Sequence, residues 1–165
     1  MKICTLGFLF RNGKIILAQK KRKIGVGKWN GYGGKMEGEE SRIDCLIRET
    51  LDECGVVLQK EDCNELGYID FFLEDRKKLN QRVFIYRVNN FSGEPKESEE
   101  MGEPREFNVN ELPYNEMMAG DDKFMTFVIK IRKFRGEIHF LEKENRLVSS
   151  NVIEITDEKN EIKLR

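Results

Sequence analysis

Arg48, Glu49, Asp52 and Glu53 are the residues of this sequence best suited to do chemistry. Positions 49, 52 and 53 are three and four residues apart, so on a helix their carboxylates share one face. Like charges packed that closely repel, and a solvated charged face is the ordinary setting for such a cluster. Here the opposite face is apolar, through Ile43, Leu46, Ile47 and Cys54. Glu40 lies upstream, and an aromatic and glycine-rich turn, Trp29–Asn30–Gly31–Tyr32–Gly33–Gly34, precedes the helix. Hard oxygen donors on a rigid element suit Mg²⁺ or Mn²⁺. Magnesium keeps several waters and bridges protein carboxylates to substrate phosphates, which an all-acid cluster fits better than it fits zinc.

The elements that must position this cluster can be read from local signals. Ile3–Phe10 is dense in β-prone residues, Asn12–Gly13 is a two-residue hairpin signal, and Lys14–Gln19 returns as a second strand. Ser41 is placed to cap the carboxylate helix, with Asp44 as its capping-box partner, and Gly55 supplies a left-handed stop. Strands are expected at Leu66–Leu73 and Arg82–Val88, joined by the charged stretch Glu74–Gln81, and another at Arg105–Val109. A second helix is expected from Asp121–Asp122, with Phe124, Phe127, Val128, Ile131 and Phe134 at helical spacing. Closing strands fall at Glu137–Leu141 and Val152–Ile155. Strands mixed with two helices argue for one α+β domain over residues 1–165.

Composition excludes several classes of function. Hydrophobic residues make up 39 % of the 165 residues and charged residues 36 %, which is globular rather than disordered. The net charge of −1 gives no field that would draw the chain to nucleic acid or an anionic membrane, and no stable partner of either kind is expected. The basic run Lys20–Lys21–Arg22–Lys23 is the exception, readable as a solvated loop or as a phosphate contact. Cys4, Cys45, Cys54 and Cys63 form no C-x-x-C pair, and Cys45 and Cys54 read as small packing residues of the helix. Free cysteines without a signal-peptide pattern point to a reducing, cytoplasmic setting, and the chain is expected to be a monomer. His139, the sole histidine, lies in an alternating strand and reads as structural, so a Ser–His or Cys–His mechanism lacks its base.

Gly34, Glu40, Arg48–Glu49, Thr50, Asp52–Glu53, Gly55 and Val56 resemble the Nudix box, G-x5-E-x7-R-E-U-x-E-E-x-G-U, where U is bulky and apolar. The spacing matches throughout. Thr50 stands where an apolar residue is usual, Asp52 where glutamate is usual, and Gly38 one position earlier than the usual glycine. The Asp52 exchange shortens one ligand arm by a methylene. The resemblance implies a mixed β-sheet packed between helices, an α/β/α sandwich. It also implies metal-dependent cleavage of a phosphate anhydride.

The family's pattern implies Glu49 and Glu53 as main metal ligands, Asp52 assisting, and Gly33 and Glu100 completing the metal set. Arg48 and Glu40 would brace the carboxylates, and Glu53, Glu49, Arg48 and Glu100 would form the catalytic group. Beyond the box, Lys20–Lys21–Arg22, Gly25-x-Gly27, Trp29 to Lys35, Glu97 to Met101 and Asp121–Asp122 are similar to the animal-type Nudix enzymes acting on oxidised purine nucleoside triphosphates such as 8-oxo-dGTP and 2-oxo-dATP. That similarity implies Asn30, Asp121 and Asp122 as readers of the base edge, Thr5 and Lys20 near the nucleotide, and Tyr32, Gly33, Gly34 and Lys35 in the substrate-binding set. Met118 falls where that group carries an aromatic residue and a proline, and would pack on the purine through its thioether. Other nucleoside diphosphate-linked substrates, namely sugar nucleotides, dinucleoside polyphosphates and capped RNA, share the box. A non-catalytic nucleotide-binding module is the third alternative.

Overall fold

The computed structural model describes residues 1–156, so the last nine positions of the expected 1–165 domain lie outside the described residues. β1 (Lys2–Arg11) and β2 (Lys14–Gln19) form the expected hairpin. Asn12 and Gly13 sit at φ 53° and 75°, the left-handed pair that a two-residue turn needs to match strand twist. Next come β3 (Trp29–Asn30), β4 (Tyr32–Lys35), α1 (Arg42–Cys54), β5 (Cys63–Leu73) and β6 (Gln81–Val88). The chain continues through β7 (Arg105–Asn108), α2 (Met125–Lys130), β8 (Phe134–Leu141) and β9 (Arg146–Glu154).

The strands make one mixed sheet in the order β3-β2-β1-β6-β5-β8-β9, parallel at β1/β6 and β5/β8. One edge of β1 is shared. Residues Cys4–Gly7 pair with β4, and Leu9–Arg11 pair with β2. This fork sets Gly33 and Gly34 directly beside Leu6 and Thr5.

Side chains alternate across the sheet as strand geometry requires. Phe8 and Phe10 join the larger core with Phe124, Met125 and Val128 of the α2 region. Leu9 joins the other core with Leu46 and Cys54 of α1. The sheet is therefore covered by α1 on one face and by α2 on the other, the α+β layering implied by the box.

Ser41 Oγ accepts the Asp44 N–H at 3.2 Å, and Gly55 closes α1 at φ 76°. The second half of the expected capping box is replaced, because the Asp44 carboxylate lies 3.4 Å from Lys60 Nζ. The second helix departs further from expectation. Asp121–Lys123 is a 3-10 turn, and α2 covers only Met125–Lys130 before Ile131 turns left-handed at φ 58°. Phe134, expected in the helical stripe, opens β8 instead. It pairs with Gly67 of β5 and stacks on Phe124 at 5.9 Å. Burial against the same core satisfies Phe124 and Phe134 alike, and strand pairing with β5 overrides the local period.

Candidate active site

Arg48 fastens α1 to the loop that enters it. Its Nε and Nη2 meet the two Glu40 oxygens at 3.0 and 2.7 Å, Nη1 meets Glu49 Oε1 at 2.8 Å, and Nη2 reaches the Lys35 carbonyl at 3.2 Å. The guanidinium holds the Glu40 carboxyl far below the usual range, at about 2, and its own pKa rises in return. A planar fork making two parallel bonds fixes direction as well as distance. Arg48 does not line the cavity described below.

Two glycines let β4 sit close to its neighbours, Gly34 to this helix and Gly33 to β1. A Cβ on Gly34 would lie 2.4 Å from Glu49 Cδ, and one on Gly33 would lie 2.0 Å from the Thr5 carbonyl oxygen. Glu53 is 7 % exposed, and its Oε1 accepts the Gly33 N–H at 2.9 Å. Burial pushes the Glu53 pKa up to about 8. The Gly33 N–H and Lys20 pull it down, while the Glu49 and Glu100 charges push it further up. Burial likewise raises the Glu49 pKa, with Arg48 opposing and Glu100 adding.

These carboxylates open onto a cavity of about 440 Å³. Of the residues singled out from sequence, Thr5, Lys20, Asn30, Gly33, Gly34, Lys35, Glu49, Glu53, Glu100, Met118 and Asp121 line it together. They come from β1, β3, β4, α1 and the segments around Lys20, Glu100 and Met118–Asp121, so the fold gathers segments more than a hundred positions apart in sequence. Lys20 is largely buried, which lowers its pKa, and the Glu53 and Glu100 charges partly offset that effect.

Asp121 is 3 % exposed, and its Oδ2 has no hydrogen-bond partner among the described residues. Burial pushes its pKa up to about 8, with Asp122 adding and the Met118 backbone and Lys20 opposing. A neutral carboxyl at such a position can both donate and accept.

Tyr32, Asp52 and Asp122 are placed elsewhere. Tyr32 is fully buried in the core on the α1 face with Leu46 and Val56, which removes it from the expected substrate contacts. Tyr32 and Gly34 alternate onto the same side of β4, the side that faces α1. Asp52 does not line the cavity; its side chain is 65 % exposed and 3.9 Å from Arg48 Nη1. Asp122 is exposed beside Lys123 at 3.4 Å, so only one member of the expected aspartate pair faces the cavity. His139 contacts Glu74 and stacks on Phe72 away from the cavity, consistent with its structural reading.

Sequence reasoning missed Phe71, Val83, Leu79 and Phe140, which also line the cavity. Each reads in sequence as an ordinary strand or turn hydrophobe, and only the β6-β5-β8 order assembles them into a wall.

Among the described residues, no three His, Cys, Asp or Glu side chains converge at metal-ligand spacing. Glu49 Oε1 is engaged by Arg48 and Glu53 Oε1 by Gly33. The donor chemistry nevertheless fits a hard divalent ion. Glu49, Glu53 and Glu100 present carboxylate oxygens to one cavity, and a cation would relieve the mutual repulsion and burial cost that raise the Glu49 and Glu53 pKa values.

A model of the NUDIX domain matches residues 3–127. The zebrafish (Danio rerio) oxidized purine nucleoside triphosphate hydrolase is 34 % identical over 140 residues, covering 84 % of this chain and 86 % of the relative. The mouse (Mus musculus) protein of the same description is 30 % identical over 146 residues, covering 88 % and 91 %. Among solved structures, a MutT protein from Bacillus halodurans superposes with a TM-score of 0.78 at 25 % identity, over 92 % of this chain and 97 % of the other.

Proposed function

The chain belongs to the NUDIX domain family, and from its likeness to the two oxidized purine nucleoside triphosphate hydrolases and from the lining of its cavity we propose that it hydrolyses oxidised purine nucleoside triphosphates such as 8-oxo-dGTP and 2-oxo-dATP to the monophosphate and pyrophosphate. As a Nudix hydrolase it cleaves a phosphate anhydride. The observation that carries the finer reading is Asp121, a buried carboxyl with an unpartnered oxygen in the same cavity as Glu49 and Glu53. An orphaned buried polar atom is costly unless a ligand completes it. An oxidised purine edge, with its altered donors and acceptors, is such a ligand, and Asn30 on the same cavity adds an amide.

A divalent cation, Mg²⁺ or Mn²⁺, bound through Glu49, Glu53 and Glu100 would neutralise phosphate charge and acidify the attacking water. Lys20 and Lys23 line the cavity and offset charge on the triphosphate. Glu53, held by Gly33, accepts the proton of the attacking water. Burial raises the Glu53 pKa in the metal-free cavity, and a bound cation would offset that rise and keep the carboxylate ionised, as a base must be. Water adds to phosphorus, the anhydride bond breaks, and pyrophosphate leaves with the electron pair. Met118 and Ile24 offer an apolar surface to the base without the fixed plane of an aromatic ring. The four free cysteines support a reducing, cytoplasmic setting, and the proposed working form is a monomer with its substrate.

A panel of nucleotides scored for pyrophosphate and for phosphate release tests this reading. The expected result is Mg²⁺-dependent pyrophosphate release that is faster from 8-oxo-dGTP or 2-oxo-dATP than from the ordinary dNTPs. Faster turnover of ordinary dNTPs, or no pyrophosphate from any of them, overturns it.

A further inference from the structure

A second groove, of about 910 Å³, lies beside the cavity. Lys2, Lys35, Arg42, Lys77 and Lys78 line it, and no Asp or Glu does. Among the described residues, none of the four lysines has a carboxylate within ion-pair distance. Arg42 alone is paired, to Glu65 at 2.6 Å, and its guanidinium lies 4.1 Å over the Phe84 ring. In a chain of net charge −1, four unpaired ammonium groups around one concavity are a local excess that an anion would relieve.

Solvated surface lysines would be a sufficient explanation if they stood on loose chain. These do not. Lys2 N–H donates to the Asn80 carbonyl at 3.1 Å, and Met36 N–H donates to the Ile3 carbonyl at 2.9 Å. Those bonds stitch the start of β1, the end of β4 and the β5–β6 connection into one frame around the groove. Within that connection the 3-10 turn Lys77–Leu79 divides the two spaces: Leu79 lines the catalytic cavity, while Lys77 and Lys78 line the groove.

Two features point to the occupant. Lys2 and Lys35 line both spaces, so an anionic chain leaving the cavity past them meets cations that belong to the groove as well. The Arg42 guanidinium stacked on Phe84, together with Met36, gives the groove a planar and apolar surface on which a base can lie, beside the lysines that would meet phosphate. The volume is that of a small-molecule site rather than a protein interface.

We propose that this groove is a second nucleotide site, in which Lys2, Lys35, Lys77 and Lys78 meet the phosphates and the Arg42 guanidinium on Phe84, with Met36, carries the base. The proposal rests on the reading of the neighbouring cavity as a nucleotide polyphosphate site. The occupant has two possible sources with one chemistry. It is either a free nucleotide bound alongside the substrate or the distal half of a nucleotide joined to the substrate through its phosphate chain.

Equilibrium titration of the intact chain in Mg²⁺ with α,β-methylene GTP and with methylene-bridged diguanosine tetraphosphate, both resistant to cleavage, tests the proposal. A free-nucleotide site gives two bound α,β-methylene GTP per chain, and Lys77→Ala/Lys78→Ala removes the second or weakens it at least tenfold. A site for the distal half gives one diguanosine tetraphosphate per chain, bound at least tenfold tighter than α,β-methylene GTP, and the double variant removes that advantage. In both cases the double variant leaves cavity binding of α,β-methylene GTP within about twofold. One α,β-methylene GTP per chain together with diguanosine tetraphosphate affinity unchanged by the double variant overturns the proposal, as does an equal loss for both ligands. Hydrolysis is read separately: a chain that binds at the groove yet cleaves no nucleotide overturns the catalytic reading and leaves the groove standing.

Discussion

The Glu53 carboxylate accepts the Gly33 backbone N–H at 2.9 Å, and this bond joins the last turn of α1 to β4. The same N–H lies one residue before Gly34, whose missing side chain makes room for Glu49. The two carboxylates are therefore positioned by the same short strand, one by a hydrogen bond and the other by an absence.

Gly34→Ala places a methyl group 2.4 Å from where Glu49 Cδ now lies, so Glu49 must shift. Displacement of a reacting group by about 1 Å costs on the order of 10²-fold in rate. The expected outcome is a kcat lower by about 10²-fold with a folded protein. Circular dichroism beside steady-state kinetics checks it, and wild-type kcat would refute the positioning role.

Glu53→Gln keeps a group able to accept the Gly33 N–H but removes the base. Loss of a general base lowers rates by roughly 10²–10⁴-fold. We expect a kcat fall in that range with Tm changed little, read by pyrophosphate release and thermal denaturation. Full activity in this variant would remove Glu53 from the proton transfer.

Arg48→Lys exchanges a fork that holds Glu40 through two bonds and Glu49 through a third for a single point charge. A loss of about 1–2 kcal/mol in stability is expected from the lost charge-assisted bonds. A kcat reduction of about tenfold or more should accompany it through the freed Glu49. Denaturant unfolding and kinetics read the two effects separately.

Asp121 has its pKa raised in the folded state, to about 8 from an ordinary value near 3.8. Between those values the folded protein binds the proton and the unfolded chain does not. Its contribution is thus fully present below about pH 4 and is lost as pH rises through 8. Asp121→Asn removes this dependence. Between pH 5 and 8.5 the wild-type Tm should fall relative to the variant, and a constant difference across that range would contradict the buried, protonated state.

Leu46 is fully buried between α1 and the sheet. Leu46→Ala should cost about 2–5 kcal/mol, which at roughly 2–4 °C per kcal/mol for a domain of this size lowers Tm by several degrees or more. Differential scanning calorimetry measures it.

Much of the catalytic helix was legible in the sequence because its signals are local. Spacing puts Glu49 and Glu53 on one face, Ser41 and Gly55 mark the ends, and Asn12–Gly13 announces the hairpin that starts the sheet. The Gly34–Val56 segment alone carries the family and its phosphate chemistry. Phe134 shows where that legibility ends, since its spacing fits a helix while its burial is satisfied by a strand.

The sequence by itself determined the carboxylate helix, its brace at Arg48 and the class of bond it cleaves. The tertiary structure decided which of the remaining candidates face the cavity. Tyr32 and Asp121 are equally good polar contacts as residue types, yet the pairing of β4 with β1 turns Tyr32 into the core, and the 3-10 turn sets Asp121 into the cavity while leaving Asp122 in solvent. Phe71, Leu79 and Phe140, and the four lysines of the basic groove, come together only through strand pairings between distant segments. Residue spacing encodes the faces of one element, but which face meets which is set by non-local pairing and burial, and here the forked edge of β1 makes that choice.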